Sequence, residues 1–342
     1  MPIERVIGQP APDEENYLTS LRPRRLEDCT GQEVVREQLR IALDAARQRG
    51  EPLDHVLLDG PPGLGKTTLS HVIAHEMNAR LHVTSGPAIT RQGDLMATLT
   101  QLETGDVLFV DEIHRLHKVV EEFLYPALED FRVDYTTESG IGGRTVNFPL
   151  KRFTLIGATT RAGMLSSALH SRFGLFFHLQ YYTVEELTHI VETNAGLLRI
   201  EADRPALARL AARSRGTPRI VNRLLRRVRD YAQVRASGRL TPAVVDAALD
   251  ILQIDELGLD ALDREYLLTL ARHYDGGPAG IESIAASMGH ERDTLEDVVE
   301  PYLLQIGFVI RTPRGRLLRP PAYTHLHLPP SAQATDQPGL FD

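Results

Sequence analysis

The sequence predicts an α/β core, a parallel sheet with flanking helices, followed by an all-helical segment and a C-terminal winged-helix pattern. Three observations carry this reading. The first is Gly60-Pro61-Pro62-Gly63-Leu64-Gly65-Lys66-Thr67, which fits G-x-x-x-x-G-K-[ST] between the run His55–Asp59 and a stretch, Thr68–Met77, with apolar residues at helical spacing. A strand, a glycine loop and a helix are the context of a phosphate-binding P-loop. The second is Asp106-Val107-Leu108-Phe109-Val110-Asp111-Glu112. Its unbroken apolar run suits a strand buried on both faces, as in a parallel sheet. The third is the change after Thr183 to helical periodicity, which ends in three helical stretches and a hairpin.

Composition narrows the class. A chain of 342 residues allows two or three domains. The single cysteine, Cys29, excludes an intrachain disulfide and a cysteine-based metal framework, and it suits packing in a reducing cytoplasm. No apolar run approaches transmembrane length, and Met1–Arg5 does not read as a secretory signal, so a cytoplasmic location is expected. The formal charge of −8 argues against a basic surface overall, yet leaves room for one local basic element.

In chain order, Met1 to about Tyr17 reads as a polar tail. Leu21-Arg22-Pro23 leads to Gly31-Gln32-Glu33 and a helix from Val35, stopped at Gly50; such a loop and helix upstream of a P-loop can cover an adenine base. In the P-loop, glycines let backbone N–H groups converge on phosphate oxygens at a helix start. Lys66 can reach the β- and γ-phosphates of ATP, and Thr67 can ligate Mg²⁺. Leu81–Thr84 reads as a strand and Gln92–Leu102 as a helix. Asp111 and Glu112 end the second buried strand, where ligands bind in open α/β sheets. Asp111 can hold Mg²⁺ through water and Glu112 can polarise an attacking water. In isolation, two solvated carboxylates would read the same.

Phe131–Leu150 reads as an inserted hairpin, either a contact for a partner, the favoured reading, or an ordinary connection. Phe153–Arg161 is a third buried strand, and Thr159 or Thr160 at its end can feel a γ-phosphate. Ala168–Phe173 precedes a strand, Leu175–Leu179, and an exposed arginine there suits either a finger into a neighbour's site or a surface salt bridge. Thr183-Val184-Glu185-Glu186 opens a helix with a capping box. Further helices fit Arg204–Ala212, Pro218–Val234 and Pro242–Leu252. Arg219 falls in the first turn of its helix, where the dipole disfavours a cation, a pointer to an anionic ligand. Helices then fit Asp260–His273, Ile281–Met288 and Asp293–Gln305. The final hairpin, Phe308–Arg311 and Arg316–Arg319 around Thr312-Pro313-Arg314-Gly315, carries Arg311, Arg314, Arg316 and Arg319 with almost no acids nearby in sequence. The third helix presents acids (Asp293, Glu296, Asp297, Glu300), so DNA binding by shape and charge rather than base sequence is expected. From about Pro329 disorder is expected.

These residues together resemble the RuvB family of Holliday-junction branch-migration motors. The resemblance runs through Leu21-Arg22-Pro23, Gly31-Gln32, Gly60–Thr68, Asp111-Glu112-Ile113-His114-Arg115-Leu116 and Gly157–Gly163. It continues in Arg213–Ile220, Asp255–Asp260, Glu300–Leu303 and Arg311–Arg316, and covers about Asn16 to Leu328. It implies an AAA+ ATPase of three parts: a large ATPase domain (1–181), a small helical lid (182–252) and a winged-helix head (253–342) with its tail. It implies a homo-hexameric ring on duplex DNA at Holliday junctions that works with RuvA and RuvC in recombination, repair and the SOS response.

By resemblance, Leu21, Arg22 and Tyr182 frame the adenine. Gly63, Gly65, Lys66, Thr67 and Thr68 hold phosphates, with Thr67 on Mg²⁺. Asp111 and Glu112 are the Walker B pair, and Thr159 or Thr160 the first sensor. Arg172 is the finger supplied in trans, Arg219 the second sensor, and Glu129, Asp130 and Phe131 lie near a neighbour's nucleotide. Arg292, Arg311 and Arg316 match DNA contacts, with Arg314 beside them. One departure is Asp134-Tyr135-Thr136-Thr137-Glu138-Ser139, more polar than the family's RuvA-contacting hairpin, which implies a co-adapted or weaker RuvA contact; Cys29-Thr30 is a smaller one. A clamp-loader-like or remodelling ATPase, and a winged-helix module with a nucleotide-dependent assembly switch, are the alternative readings.

Overall fold

The computed structural model describes residues 17–136 and 145–330. These fall into two compact units, Thr19–Glu186 and the chain from Leu187, which also takes in Tyr17 and Leu18. The expected tails, apart from Tyr17, Pro329 and Pro330, lie outside the described residues.

In the first unit the order is α1 (Glu33–Arg49), β1 (Val56–Asp59), α2 (Lys66–Glu76), β2 (Leu81–Ser85), α3 (Gln92–Thr100), β3 (Val107–Asp111) and α4 (Lys118–Glu129). Then come β4 (Arg132–Thr136), β5 (Thr145–Pro149), β6 (Thr154–Thr159), α5 (Ser167–His170) and β7 (Leu175–His178). A parallel five-stranded sheet runs β2-β3-β6-β1-β7. The unbroken apolar runs follow from its two covered faces. Val107 and Phe109 enter one core with Val56, Leu58, Ile156 and Ala158, while Leu108 and Val110 enter the other with Leu57 and Leu155. Each buried Val, Leu, Ile or Phe side chain among these stabilises the unit by about 1.5–3 kcal/mol. Helix α1 lays Val35, Leu39, Leu43 and Ala46 on the first core and ends at Gly50 in the left-handed region. Cys29 packs against the same core, and burial pushes its thiol up to about 11, which keeps it protonated and inert. The hairpin expected over Phe131–Leu150 is an antiparallel two-stranded sheet of its own, β4 against β5, between α4 and β6. Of its polar stretch, Thr137, Glu138 and Ser139 lie outside the described residues.

The second unit holds α6 (Val184–Leu197), which starts in the first unit, then α7 (Arg204–Ala212), α8 (Pro218–Arg235) and α9 (Pro242–Ile251). Thr217 and Thr241 cap α8 and α9 from the hydroxyl, each with proline next in line. Tyr17 lies under Arg226 and Arg229 of α8, its ring centroid 5.3 and 5.8 Å from the two guanidiniums. The chain continues with α10 (Ala261–His273), α11 (Ile281–Met288), α12 (Arg292–Thr294), α13 (Glu300–Gln305), the wing strands β8 (Val309–Thr312) and β9 (Gly315–Leu318), and α14 (Pro320–His325). The single helix expected over Asp293–Gln305 is instead interrupted by a π turn at Leu295–Val299. Pro301 supplies no N–H for the bond four residues back, so the ladder widens there.

In the wing, Gly315 has φ +134°, and a Cβ there would meet the Ala279 carbonyl oxygen at 2.4 Å. The glycine lets Arg316 N–H donate to Ala279 O at 2.7 Å. Elsewhere in this unit Arg215, 3% exposed, binds the fully buried Asp263 and donates from Nε to Gly258 O at 2.8 Å. A buried ion pair of this kind adds little stability but is costly to break from one side, so it pins the loop before α8 to the start of α10.

Candidate functional site

The P-loop leaves β1 at Gly60 and enters α2 at Lys66. Gly60 has φ +130°, and a Cβ there would meet Leu179 O at 2.5 Å, so only glycine lets the loop turn against the strand-end backbone. Gly65, also left-handed, opens α2, whose first turn carries no acid. The exposed N–H groups and the dipole of that turn favour an anion. Lys66 is buried, and its ammonium donates to Gly60 O at 2.6 Å and Pro61 O at 2.9 Å.

Strand order assembles the rest of this edge. Strand β6 lies between β1 and β3, with Asp59 opposite Thr159 and Val110 opposite Gly157. The carboxyl end of β6 therefore stands between the P-loop and the Asp111-Glu112 pair. Asp111 accepts the Glu112 N–H at 2.9 Å. Glu112 adopts φ +47°, a strained conformation for a side-chain-bearing residue, and its carboxylate pairs with Arg115 at 3.0 Å. Thr159 is buried; its hydroxyl accepts the Arg161 N–H at 3.0 Å and lies 2.9 Å from His114 Nδ1. Thr160, next in line, is exposed. The contacts from Arg115 and His114 escaped the sequence reading. The three-residue spacing from Glu112 to Arg115 was a usable signal for the first, and nothing local announces the second.

On the adenine side, the Tyr182 hydroxyl donates to Leu64 O at 3.3 Å, and burial pushes its pKa up. Gly31 faces the same ring, since a Cβ there would approach Tyr182 Cε1 to 2.7 Å. Leu21 is buried, and Arg22 Nη1 lies 3.2 Å from His71 Nε2 on α2. Burial, and then the charge of Arg22, push the His71 pKa down, so the imidazole accepts this bond in its neutral form.

At the opposite end of the sheet a second cluster forms. Arg172, expected to be exposed, is only 17% exposed. Its guanidinium pairs with Glu129 at 3.0 Å, binds Ala168 O and lies 4.3 Å from the Tyr125 ring centroid. Tyr125 and Glu129 share a face of α4 one turn apart, and between them they draw the side chain off the surface. Phe131, with φ +49°, packs edge-on to Phe153 and tilted on His55. His55 Nδ1 accepts the Leu155 N–H at 2.9 Å, so Nε2 carries the proton and donates to Leu128 O at 3.1 Å. Burial pushes the His55 pKa down, in keeping with that neutral form. Asp130 pairs with Arg132 at 3.1 Å. The Gly174 N–H donates to the carbonyl of His55, the residue before β1. Arg172 thus sits at the amino end of β1, about 13 Å of strand away from the P-loop end.

In the second unit Arg219 lies exposed in the first turn of α8. The wing corrects the expectation that its arginines have almost no acids nearby. Glu300, fully buried, takes bonds from Tyr266 Oη (2.8 Å), Arg311 Nη2 (2.6 Å) and Arg316 Nε (2.8 Å). Arg316 also bonds Glu296 at 2.7 Å, and Arg292 bonds Glu296 (3.1 Å) and Glu282 (2.8 Å). The expected acidic face is therefore split: Asp293 and Asp297 are exposed, while Glu296 and Glu300 turn toward the hairpin. Arg314 and Arg319 are exposed and make no ion pair with a described residue.

A P-loop at the carboxyl edge of a parallel sheet, an acidic pair two strands over and a helical segment with a winged-helix end define a P-loop ATPase of helicase type. Comparisons agree along the chain. The Holliday junction DNA helicase RuvB P-loop domain matches residues 21–179, the RuvB AAA lid domain residues 182–255 and the RuvB C-terminal winged-helix domain residues 256–327. The Thermotoga maritima RuvB branch-migration motor is 52% identical over 90% of this chain and 99% of its own, with a TM-score of 0.83. A point mutant of the same protein gives 51% identity, the same coverage and a TM-score of 0.84. The chain belongs to the RuvB family of Holliday-junction branch-migration ATPases. Among the described residues, no helix is long and apolar enough to cross a membrane.

Proposed function

We propose that the chain works as a homo-hexameric ring in the cytoplasm, where ATP hydrolysis draws the duplex arms of a Holliday junction through the ring. In this reading RuvA docks on the β4–β5 hairpin, RuvC acts on the same junctions, and the protein serves recombination, repair and the SOS response. Residues 1–181 form the ATPase domain, 182–252 the lid and 253–342 the DNA-facing head.

Lys66 and the backbone N–H groups of Gly63, Gly65 and Thr68 bind the phosphates. Thr67 and Asp111 offer the oxygen donors that Mg²⁺ takes, one carboxylate beside phosphate and water. When bound, the ion neutralises phosphate charge. Glu112 orients the water that attacks the γ-phosphorus as the bond to the β-bridging oxygen breaks. Thr159 is held by His114, which leaves the exposed Thr160 as the hydroxyl that meets the γ-phosphate. Leu21, Arg22 and Tyr182 frame the adenine, and Arg219 reaches the phosphates from the lid. A neighbour supplies Arg172, aimed by Glu129 with Asp130 and Phe131 beside it. Arg292, Arg311, Arg314 and Arg316 face the duplex.

One observation carries this reading: Arg172 and the P-loop occupy opposite ends of the same strands, so a protomer cannot bring its own arginine to its own nucleotide. Activity then requires neighbours. Arg172→Ala and Lys66→Ala subunits, each inactive alone, should regain part of the ATPase rate when mixed; no recovery refutes the trans site. For the motor itself, synthetic four-way junctions are the test. Duplex DNA with RuvA should raise ATP turnover and drive strand exchange, and an unchanged rate sinks the proposal.

A further inference from the structure

The wing's arginines are already answered by carboxylates. Arg316 is 14% exposed and spans Glu300 and Glu296, and Arg292 spans Glu296 and Glu282. Arg311 shares Glu300 with Arg316. Three guanidiniums thus meet three carboxylates in one connected network, and its formal charge is zero. A phosphate approaching Arg316 or Arg292 meets a cation whose field is cancelled within 3 Å. The hairpin therefore presents less charge to a polyanion than its sequence carries.

We propose that Glu296 and Glu282 stand in for DNA phosphates on Arg316 and Arg292, lowering the number of phosphates the head neutralises and so how tightly it holds a duplex. This rests on the reading that the wing faces duplex DNA. Glu300 is the anchor of the network. It is buried, bonded by Tyr266, and fixes the hairpin to the helical run. Glu296 and Glu282 lie nearer the surface and act as counterions, with Glu282 69% exposed. A motor that moves along a duplex needs contacts that release, and an internal carboxylate returns to its arginine each time a phosphate leaves.

The test is duplex binding by the full chain with ATP analogue and Mg²⁺, followed by fluorescence anisotropy of a labelled linear duplex over a range of salt. Each extra phosphate neutralised steepens the dependence of log K on log salt by about 0.9, which is about eightfold tighter binding near 0.1 M salt. Glu296→Gln keeps the side-chain shape and is expected to tighten binding by about that factor and steepen the slope, with DNA-free ATPase unchanged. Glu282→Gln is expected to shift both in the same direction by less. Unchanged or weaker binding in a Glu296→Gln protein that melts with the parent overturns the proposal. Should Glu296→Gln melt early, the exposed Glu282→Gln decides, and parent-like binding there overturns it equally. Failure of the parent to bind duplex at all would instead refute the DNA-facing reading of the head.

Discussion

At the P-loop the Lys66 ammonium rests on two carbonyl oxygens, whereas in the wing the Arg311 and Arg316 guanidiniums rest on the carboxylate of Glu300. Both regions concentrate positive charge for phosphate, yet they hold it differently. Loop carbonyls orient the lysine at the place where a triphosphate arrives. Carboxylates orient the arginines and cancel most of their charge. The first arrangement suits a ligand that must be held through a chemical step, and the second suits one that slides past.

The largest effect that would break this contrast is at the P-loop. Lys66→Ala should lower ATP turnover by roughly 10²–10³-fold or more, as for removal of one preorganised charge-stabilising donor, with weaker nucleotide binding. Glu112→Gln should instead keep nucleotide binding and lose turnover. A steady-state ATPase assay beside a nucleotide titration separates the two, and near-parent hydrolysis in either refutes the assigned role. A middling effect is expected at the wing's exposed Arg314. Arg314→Ala should weaken all duplexes alike, by about eightfold near 0.1 M salt, and reduce the salt slope by about one. Discrimination between base sequences in that variant would contradict a phosphate contact.

The smallest effect is on stability in acid. Burial alone would raise the Glu296 carboxyl, but bonds from Arg292 and Arg316 outweigh it and hold the group below its ordinary value. A carboxylate depressed in the folded state contributes stability above its unfolded pKa of about 4.3, and that contribution fades as pH falls through the lower folded value. Calorimetry from pH 6 downward should therefore show a shallower acid loss in Glu296→Gln than in the parent. Identical slopes would mean the ion pairs do not persist in solution.

The nucleotide edge was largely legible because its parts are contiguous. Eight residues, Gly60 to Thr67, set a loop whose backbone does the binding, and Asp111-Glu112 follows a run that can only be a strand covered on both faces. Less was legible where partners are distant in sequence. An exposed Arg172 was expected because Tyr125 and Glu129, which draw it in, belong to a different helix. Almost no acids were expected near the wing's arginines because Glu300 lies 16 residues from Arg316. The break at Leu295–Val299 was readable in principle, from a proline two residues beyond it.

By itself the sequence determined the chemistry on offer: a phosphate loop, an acidic strand end, a run of caps and apolar spacings, and a basic hairpin. These depend on neighbours along the chain, where bond geometry leaves few choices. Only the tertiary structure decided which groups meet. Strand order put Thr159 between the P-loop and Asp111, the length of β1 put Arg172 out of reach of its own P-loop, and the packing of the π turn and α13 on the hairpin gave the wing its counterions. Each of these rests on through-space contact between segments far apart in the chain, which pattern and propensity do not encode.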